Sequence, residues 1–209
     1  MKTALCVLVA VVFLVPVAWA GQNPGCGIFL DFDASAEDWW DAEASATTIS
    51  PDSTEVFTVY VGLASGQPQG ESFSNLRVMG VAFDIDVQSE GLLFMDVAGV
   101  LPGWLIIGDP WSGMVAGGPC AEAPVVYVAQ LTFLYLGAPA TIVLTEHPEY
   151  GRTVWDCSDP YNPGEDEWCI IGHAGVWQEP PSGESGCYPS TPVEPSSWGR
   201  LKALYRNDD

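Results

Sequence analysis

The stretch Leu76–Val87, Leu-Arg-Val-Met-Gly-Val-Ala-Phe-Asp-Ile-Asp-Val, constrains the fold more than any other part of the chain. Met79, Val81, Phe83, Ile85 and Val87 recur with a period of two, and Asp84 and Asp86 fall between them. On an extended strand this alternation collects the apolar residues on one face, whereas a helix would scatter them around its circumference. A second layer must then cover that face. The reading is all-β, with two sheets packed as a sandwich.

Residues 1–20 stand outside that fold. Lys2, an apolar run from Ala4 to Val17 and the small-residue end Ala18-Trp19-Ala20 have the order of a signal peptide, cleaved before Gly21. No later stretch approaches the ~20 apolar residues that a membrane-spanning helix needs. The protein is therefore expected to be exported, secreted or held at the cell surface, with no transmembrane segment. The formal net charge is −21, one unit more negative once Lys2 has left with the leader. Such a surface repels phosphate backbones and anionic lipid, so nucleic acid is excluded as a partner.

Alternation marks further strands along the chain. Residues 26–33 turn Ile28, Leu30 and Phe32 inward, and residues 55–63 do the same with Phe57, Val59, Val61 and Leu63. Two short runs follow at 91–97 and 104–107. Residues 125–136 are apolar on nearly both sides, as a central strand would be, and Gly137-Ala138-Pro139 is expected to turn the chain into an antiparallel hairpin partner at 140–145. Residues 150–156 and 168–177 complete the set. Residues 34–50 read as an acidic loop or a short surface helix, and 108–119 as a loop. Residues 178–195 are rich in Pro, Gly and Ser and read as an extended connector. The expected division is a leader at 1–20, a β-sandwich at 21–177, the connector at 178–195 and a tail at 196–209.

The order of extended runs, with GVAFDIDV followed by GLLFMDV and then VAQLTFLYLGAPATIVL, resembles the sandwiches of cohesins and carbohydrate-binding modules over residues 54–145. That resemblance implies a jelly-roll or cohesin-like sandwich. The exported start, CGIFLDFD, the WDC at 155–157 and the terminal SSWGRLKALYR resemble a group of uncharacterised secreted bacterial proteins that end in a Trp-Gly-x-x-Lys-x-Leu-Tyr-Arg tail. The second resemblance brings no assigned activity and no catalytic residues.

Five cysteines remain after the leader, Cys26, Cys120, Cys157, Cys169 and Cys187, and export exposes them to oxidation. If Leu136 faces Thr141 across the turn, the same register carried back along both strands sets Cys120 opposite Cys157, and a bridge is expected there. Cys169 and Cys187 would then staple the connector to the sandwich, leaving Cys26 free or intermolecular. No Cys-x-x-Cys pair occurs, which argues against zinc.

No catalytic residue is assigned. His147 and His173 are the only histidines, and no Gly-x-Ser-x-Gly elbow accompanies them. Hard cations want several oxygen ligands, so Asp156, Asp159, Glu165 and Asp166 are candidate calcium ligands, with an ordinary solvated acidic loop as the competing reading. A second acidic stretch holds Asp31, Asp33, Glu37, Asp38 and Asp41. Trp39, Trp40, Trp104 and Trp111 lie in or beside loops, where they would form a platform for a sugar ring or lids over the sandwich ends. The tail is the basic island of the chain. Trp198, Leu201, Leu204 and Tyr205 share one helical face while Arg200, Lys202 and Arg206 avoid it, and these three are half of the 6 basic residues. So short a helix is not stable alone in water and must dock, on the acidic sandwich or on export or surface-attachment machinery. The expected function is a secreted, non-enzymatic binding, adhesion or surface-structural module for carbohydrate or another exported protein. The alternative is an extracellular hydrolase using a carboxylate pair.

Overall fold

A computed structural model of the chain describes residues 23, 25–34, 47–65, 68–69, 72–73, 75–161 and 163–184. In order the strands are β1 (Gly27–Asp31), β2 (Thr48–Ile49), β3 (Val56–Ala64), β4 (Pro68–Gln69), β5 (Ser72–Phe73), β6 (Leu76–Val87), β7 (Leu92–Gly99) and β8 (Leu105–Asp109). There follow β9 (Gly113–Ala123), β10 (Val125–Tyr135), β11 (Ala140–Thr145), β12 (Thr153–Asp156), β13 (Glu165–Glu167), β14 (Cys169–Ile170) and β15 (Ala174–Val176). The described residues contain no helix.

Two sheets form a sandwich. One has the order β14-β1-β3-β10-β7. The other is built on β6, which pairs with β9 along one edge and with β12 and then β11 along the other; β8 adds outside β9. Alternation explains which residues meet between the layers. Ile28, Leu30, Val59, Val61, Leu63, Leu131 and Phe133 of the first sheet and Val81, Phe83, Met114, Ala116 and Leu144 of the second belong to one continuous core. Among the described residues Trp168 is the largest fully buried side chain, and its indole N–H donates to the Ala82 carbonyl at 2.8 Å, so its one polar atom is satisfied inside the core.

Three features depart from the sequence reading. The face of β6 inverts at a bulge: Val78 is fully buried and Met79 only half-buried, because the pairing with β12 steps from Gly80 opposite Trp155 to Val78 opposite Asp156 and leaves Met79 as the extra residue. One extra residue flips every side chain beyond it to the opposite face. Residues 108–119 are not one loop, since from Gly113 onward they belong to β9, which is paired on both edges. The expected 125–136/140–145 hairpin does not form either. β10 pairs with β3 and β7, whereas β11 pairs with β6 and β15, so residues 136–139 carry the chain from one sheet to the other.

Cys120 and Cys157 are nonetheless disulfide-bonded, with a Cα–Cα distance of 5.7 Å. The register that joins them is that of β6, where Val78 pairs with Ala121 on one edge and with Asp156 on the other. Cys169 is also disulfide-bonded, and Cys187 lies outside the described residues. Cys26 is a free, fully buried thiol, and burial first and the nearby Asp166 second push its pKa up to about 12.

Both ends of the described chain are pinned. Asn23 is buried, and its side chain accepts the Arg77 N–H at 2.7 Å and donates to the Arg77 carbonyl at 3.0 Å, copying a strand neighbour for β6. The start of the expected connector is held against the sandwich: Ser182 bridges Gly172, and Arg152 makes a bidentate pair with Glu184, 2.6 Å at each contact.

Candidate interaction face

β7 and β8 are edge strands of opposite sheets and lie side by side. Among the described residues, six of the eleven exposed large hydrophobic side chains, Leu93, Met95, Val100, Leu105, Ile107 and Trp111, fall between residues 93 and 111. On β8 alternation sends Ile106 toward the core and leaves Leu105 and Ile107 at 70% and 71% exposure. Along its other edge β8 has no strand partner among the described residues. An exposed apolar edge strand is what soluble proteins ordinarily avoid, by shortening, charging or covering it.

The tip of the β8–β9 hairpin is rigidly built. Gly108 has φ +96°, and a Cβ there would stand 2.0 Å from the Gly113 carbonyl oxygen, so no larger residue fits. Asp109 Oδ1 accepts the Trp111 N–H at 2.8 Å, fixing the turn from which the indole projects. Trp111 is 79% exposed. Its ring meets Phe94 edge-on, with centroids 5.7 Å apart, and Phe94 in turn packs on Phe133 of the core. Beside it opens a groove of about 240 Å³ with Asp86, Ser89, Leu93 and Trp111 in its wall.

Carboxylates flank this face, with Asp96 on β7, Asp109 on β8 and Asp86 in the groove wall. No Lys or Arg occurs between Arg77 and Arg152, a span that includes Asp84, Asp86, Glu90, Asp96, Asp109 and Glu146. Those two arginines are themselves paired, Arg77 with Glu122 at 3.6 Å and Arg152 with Glu184 and Glu146. The face is acidic and apolar together. Within it Asp84 has its pKa raised chiefly by burial, with Asp109 and Asp86 adding repulsion against the lowering effect of the Ile85 N–H and His147.

Of the tryptophans singled out from sequence, Trp104 and Trp111 are described, and they do not share a platform. Trp104 is buried, and its indole N–H donates to the Pro119 carbonyl at 2.9 Å, which makes it a packing residue. Trp111 is exposed, while Trp39 and Trp40 lie outside the described residues. Trp168 is core, whereas Trp177 is half-exposed and donates to the Pro51 carbonyl at 2.9 Å.

The acidic loop spends its carboxylates on the protein's own donors. Asp156 is buried and accepts the N–H groups of Ser158 at 2.9 Å and Gly164 at 2.8 Å as well as the Ser158 hydroxyl. Asp159 accepts the Tyr161 N–H, Glu165 the Trp155 indole N–H, and Asp166 the Asn23 N–H. Among the described residues no three His, Cys, Asp or Glu side chains are grouped as a metal site requires. Asp31, from the other acidic stretch, is buried and accepts the Tyr127 hydroxyl at 2.8 Å. Burial and that bond raise the Tyr127 pKa. Both histidines use Nδ1 as an acceptor, His173 from the Leu144 N–H and His147 from those of Glu149 and Tyr150. The tail residues Trp198, Leu201, Lys202, Leu204, Tyr205 and Arg206 lie outside the described residues.

No protein-family model matches the chain, and no curated protein matches it. Among solved structures, cohesin modules match. The seventh ScaB type I cohesin from Pseudobacteroides cellulosolvens is 8% identical, with a TM-score of 0.47, over 75% of this chain and 94% of that one. A cohesin module of a Clostridium perfringens family 33 glycoside hydrolase is 7% identical, with a TM-score of 0.44, over 69% and 97%. A non-cellulosomal cohesin from Archaeoglobus fulgidus is 13% identical, with a TM-score of 0.41, over 72% and 90%. Similarity at this level lies in the arrangement of strands.

Proposed function

We propose that the protein is a secreted, non-catalytic binding module that holds another exported protein on the edge formed by β7 and β8. The observation that carries this reading is the concentration of exposed apolar side chains at Leu93–Trp111 within a span free of basic residues. Burying Leu105 and Ile107 against a partner is worth roughly 1.5–3 kcal/mol for each side chain. The acidic surround sets the partner's chemistry: a segment with apolar residues flanked by Lys or Arg is attracted, and acidic proteins, this one included, are repelled. The leader expected at residues 1–20 supports an encounter outside the cytoplasm. The test is capture of exported proteins by the mature chain, compared with a Leu105→Asp/Ile107→Asp variant of equal stability.

Carbohydrate is the second reading, and a specific observation favours it. Trp111 presents its indole beside a groove with Asp86 and Ser89, which could accept and donate to sugar hydroxyls. A Trp111→Ala variant that loses retention on a polysaccharide gel, with Leu105 and Ile107 intact, would support it. A hydrolase is less well supported, because the wall of that groove contains one carboxylate, Asp86, where acid and nucleophile are both needed.

A further inference from the structure

We infer that the chain's own C-terminal segment, residues 196–209, occupies the β8 face in cis and competes there with the exported partner; this rests on the reading of that face as a binding surface. The face is apolar at Leu105, Ile107 and Trp111, and Asp96 of β7, Asp109 of β8 and Asp86 of the groove wall bring carboxylates to it. Its complement therefore combines apolar and basic residues. Within this chain only the tail does so: Trp198, Leu201, Leu204 and Tyr205 fall together at helical spacing, and Arg200, Lys202 and Arg206 are the only bases besides Lys2 and the two arginines already paired.

The geometry of the tether allows it. Glu184 is fixed beside Ile170 of β14, at one edge of the five-stranded sheet, and β7 forms the opposite edge. Four inter-strand steps of about 4.8 Å separate these edges by about 19 Å. The 14 residues from Glu184 to Trp198 span up to about 46–50 Å when extended, enough to round one end of the sandwich. A tether of this kind supplies an effective concentration on the order of 1 mM, so an intrinsic Kd of about 0.1 mM already leaves the face about tenfold protected. A high-affinity external partner displaces the tail, and a weak one does not. The tail thus sets a threshold for binding.

Hydroxyl-radical footprinting of the full mature chain tests this. Oxidation of Ile107 and Trp111 is compared between the wild type and an Arg200→Glu/Lys202→Glu/Arg206→Glu variant, with buried Trp168 as the folding control. The expected result is about tenfold faster oxidation of Ile107 and Trp111 in the variant, with Trp168 unchanged and wild-type protection independent of protein concentration. Equal oxidation in the two proteins overturns the inference, as does protection that vanishes on dilution, which would place a second copy's tail on the face. Reciprocally, Ile107→Asp in the full chain should speed oxidation of Trp198. If footprints ignore the tail while capture of exported proteins still depends on Leu105 and Ile107, the inference fails and the function proposed above stands.

Discussion

Cys120 and Cys157 are joined across β6, tying β9 on one edge of that strand to the chain leaving β12 on the other. The bond closes a loop of 37 residues, and a bridge of such span typically stabilises by about 2–4 kcal/mol, mainly by restricting the unfolded chain. A Cys120→Ser/Cys157→Ser variant should lose that amount in urea titration, and non-reducing peptide mapping of the wild type should recover the crosslinked pair. Full stability in the double variant would contradict this role.

His173 makes stability depend on pH. Burial lowers its folded pKa below the ordinary 6.5, outweighing the opposing pull of Glu184, and its Nδ1 must stay unprotonated to accept the Leu144 N–H. The contribution is therefore fully present above pH 6.5 and is lost as pH falls from there toward the folded value, since the unfolded chain takes up a proton that the native state refuses. Asp84 acts with the opposite sign, because its raised folded pKa lets the native state bind a proton first as pH falls. The urea midpoint should drop from pH 7.5 to 5.5, and His173→Asn, whose carbonyl can still accept the Leu144 N–H, should flatten that drop. An unchanged slope would assign the effect elsewhere.

Phe29 lies over Gly62 on the outer face of the five-stranded sheet, where a Cβ on residue 62 would come within 2.3 Å of the ring. Gly62→Ala should therefore cost about 1–3 kcal/mol as overpacking. Phe29→Leu in the same chain should restore part of it. An innocuous Gly62→Ala would mean that the ring moves freely from its contacts with Tyr127.

Sequence patterning revealed the layers and most strands because alternation reports directly which face is buried. It failed where one residue changes the count. The bulge exchanging Val78 and Met79 has no signature in a run where both are apolar. Gly137-Ala138-Pro139 turns the chain, but a turn within a sheet and a crossing between sheets use the same residue types, so the β10–β11 pairing was misread. Glycines and a proline hid β9, which survives their presence by pairing on both edges. At the site, Trp111 could be singled out as a loop aromatic. Trp104 looked equivalent, and only the position of Pro119 decides that its indole N–H is satisfied inside. Leu105 and Ile107 were recognisable as strand residues, yet their exposure follows from β8 lying at an edge, which is a property of the topology.

The acidic loop should behave as ordinary structure toward calcium. Asp156 is buried with its Oδ1 held by Ser158 and Gly164, so millimolar calcium is expected to leave Tm unchanged. Asp156→Ala should destabilise by about 1–3 kcal/mol, leaving those N–H groups without their acceptor. A calcium-dependent rise in Tm that is lost in Asp156→Ala would show instead that the loop rearranges around the ion.

The most direct test of the binding face is quantitative capture by the mature wild-type chain and by Leu105→Asp/Ile107→Asp, immobilised at equal density after equal Tm has been established. The probe is the exported protein fraction of the producing cell, applied at low and high salt. The account predicts a set of proteins retained by the wild type, weakened by salt and lost from the double variant. Identical retention by the two chains, or retention that survives in the double variant and disappears only with Trp111→Ala, would contradict it.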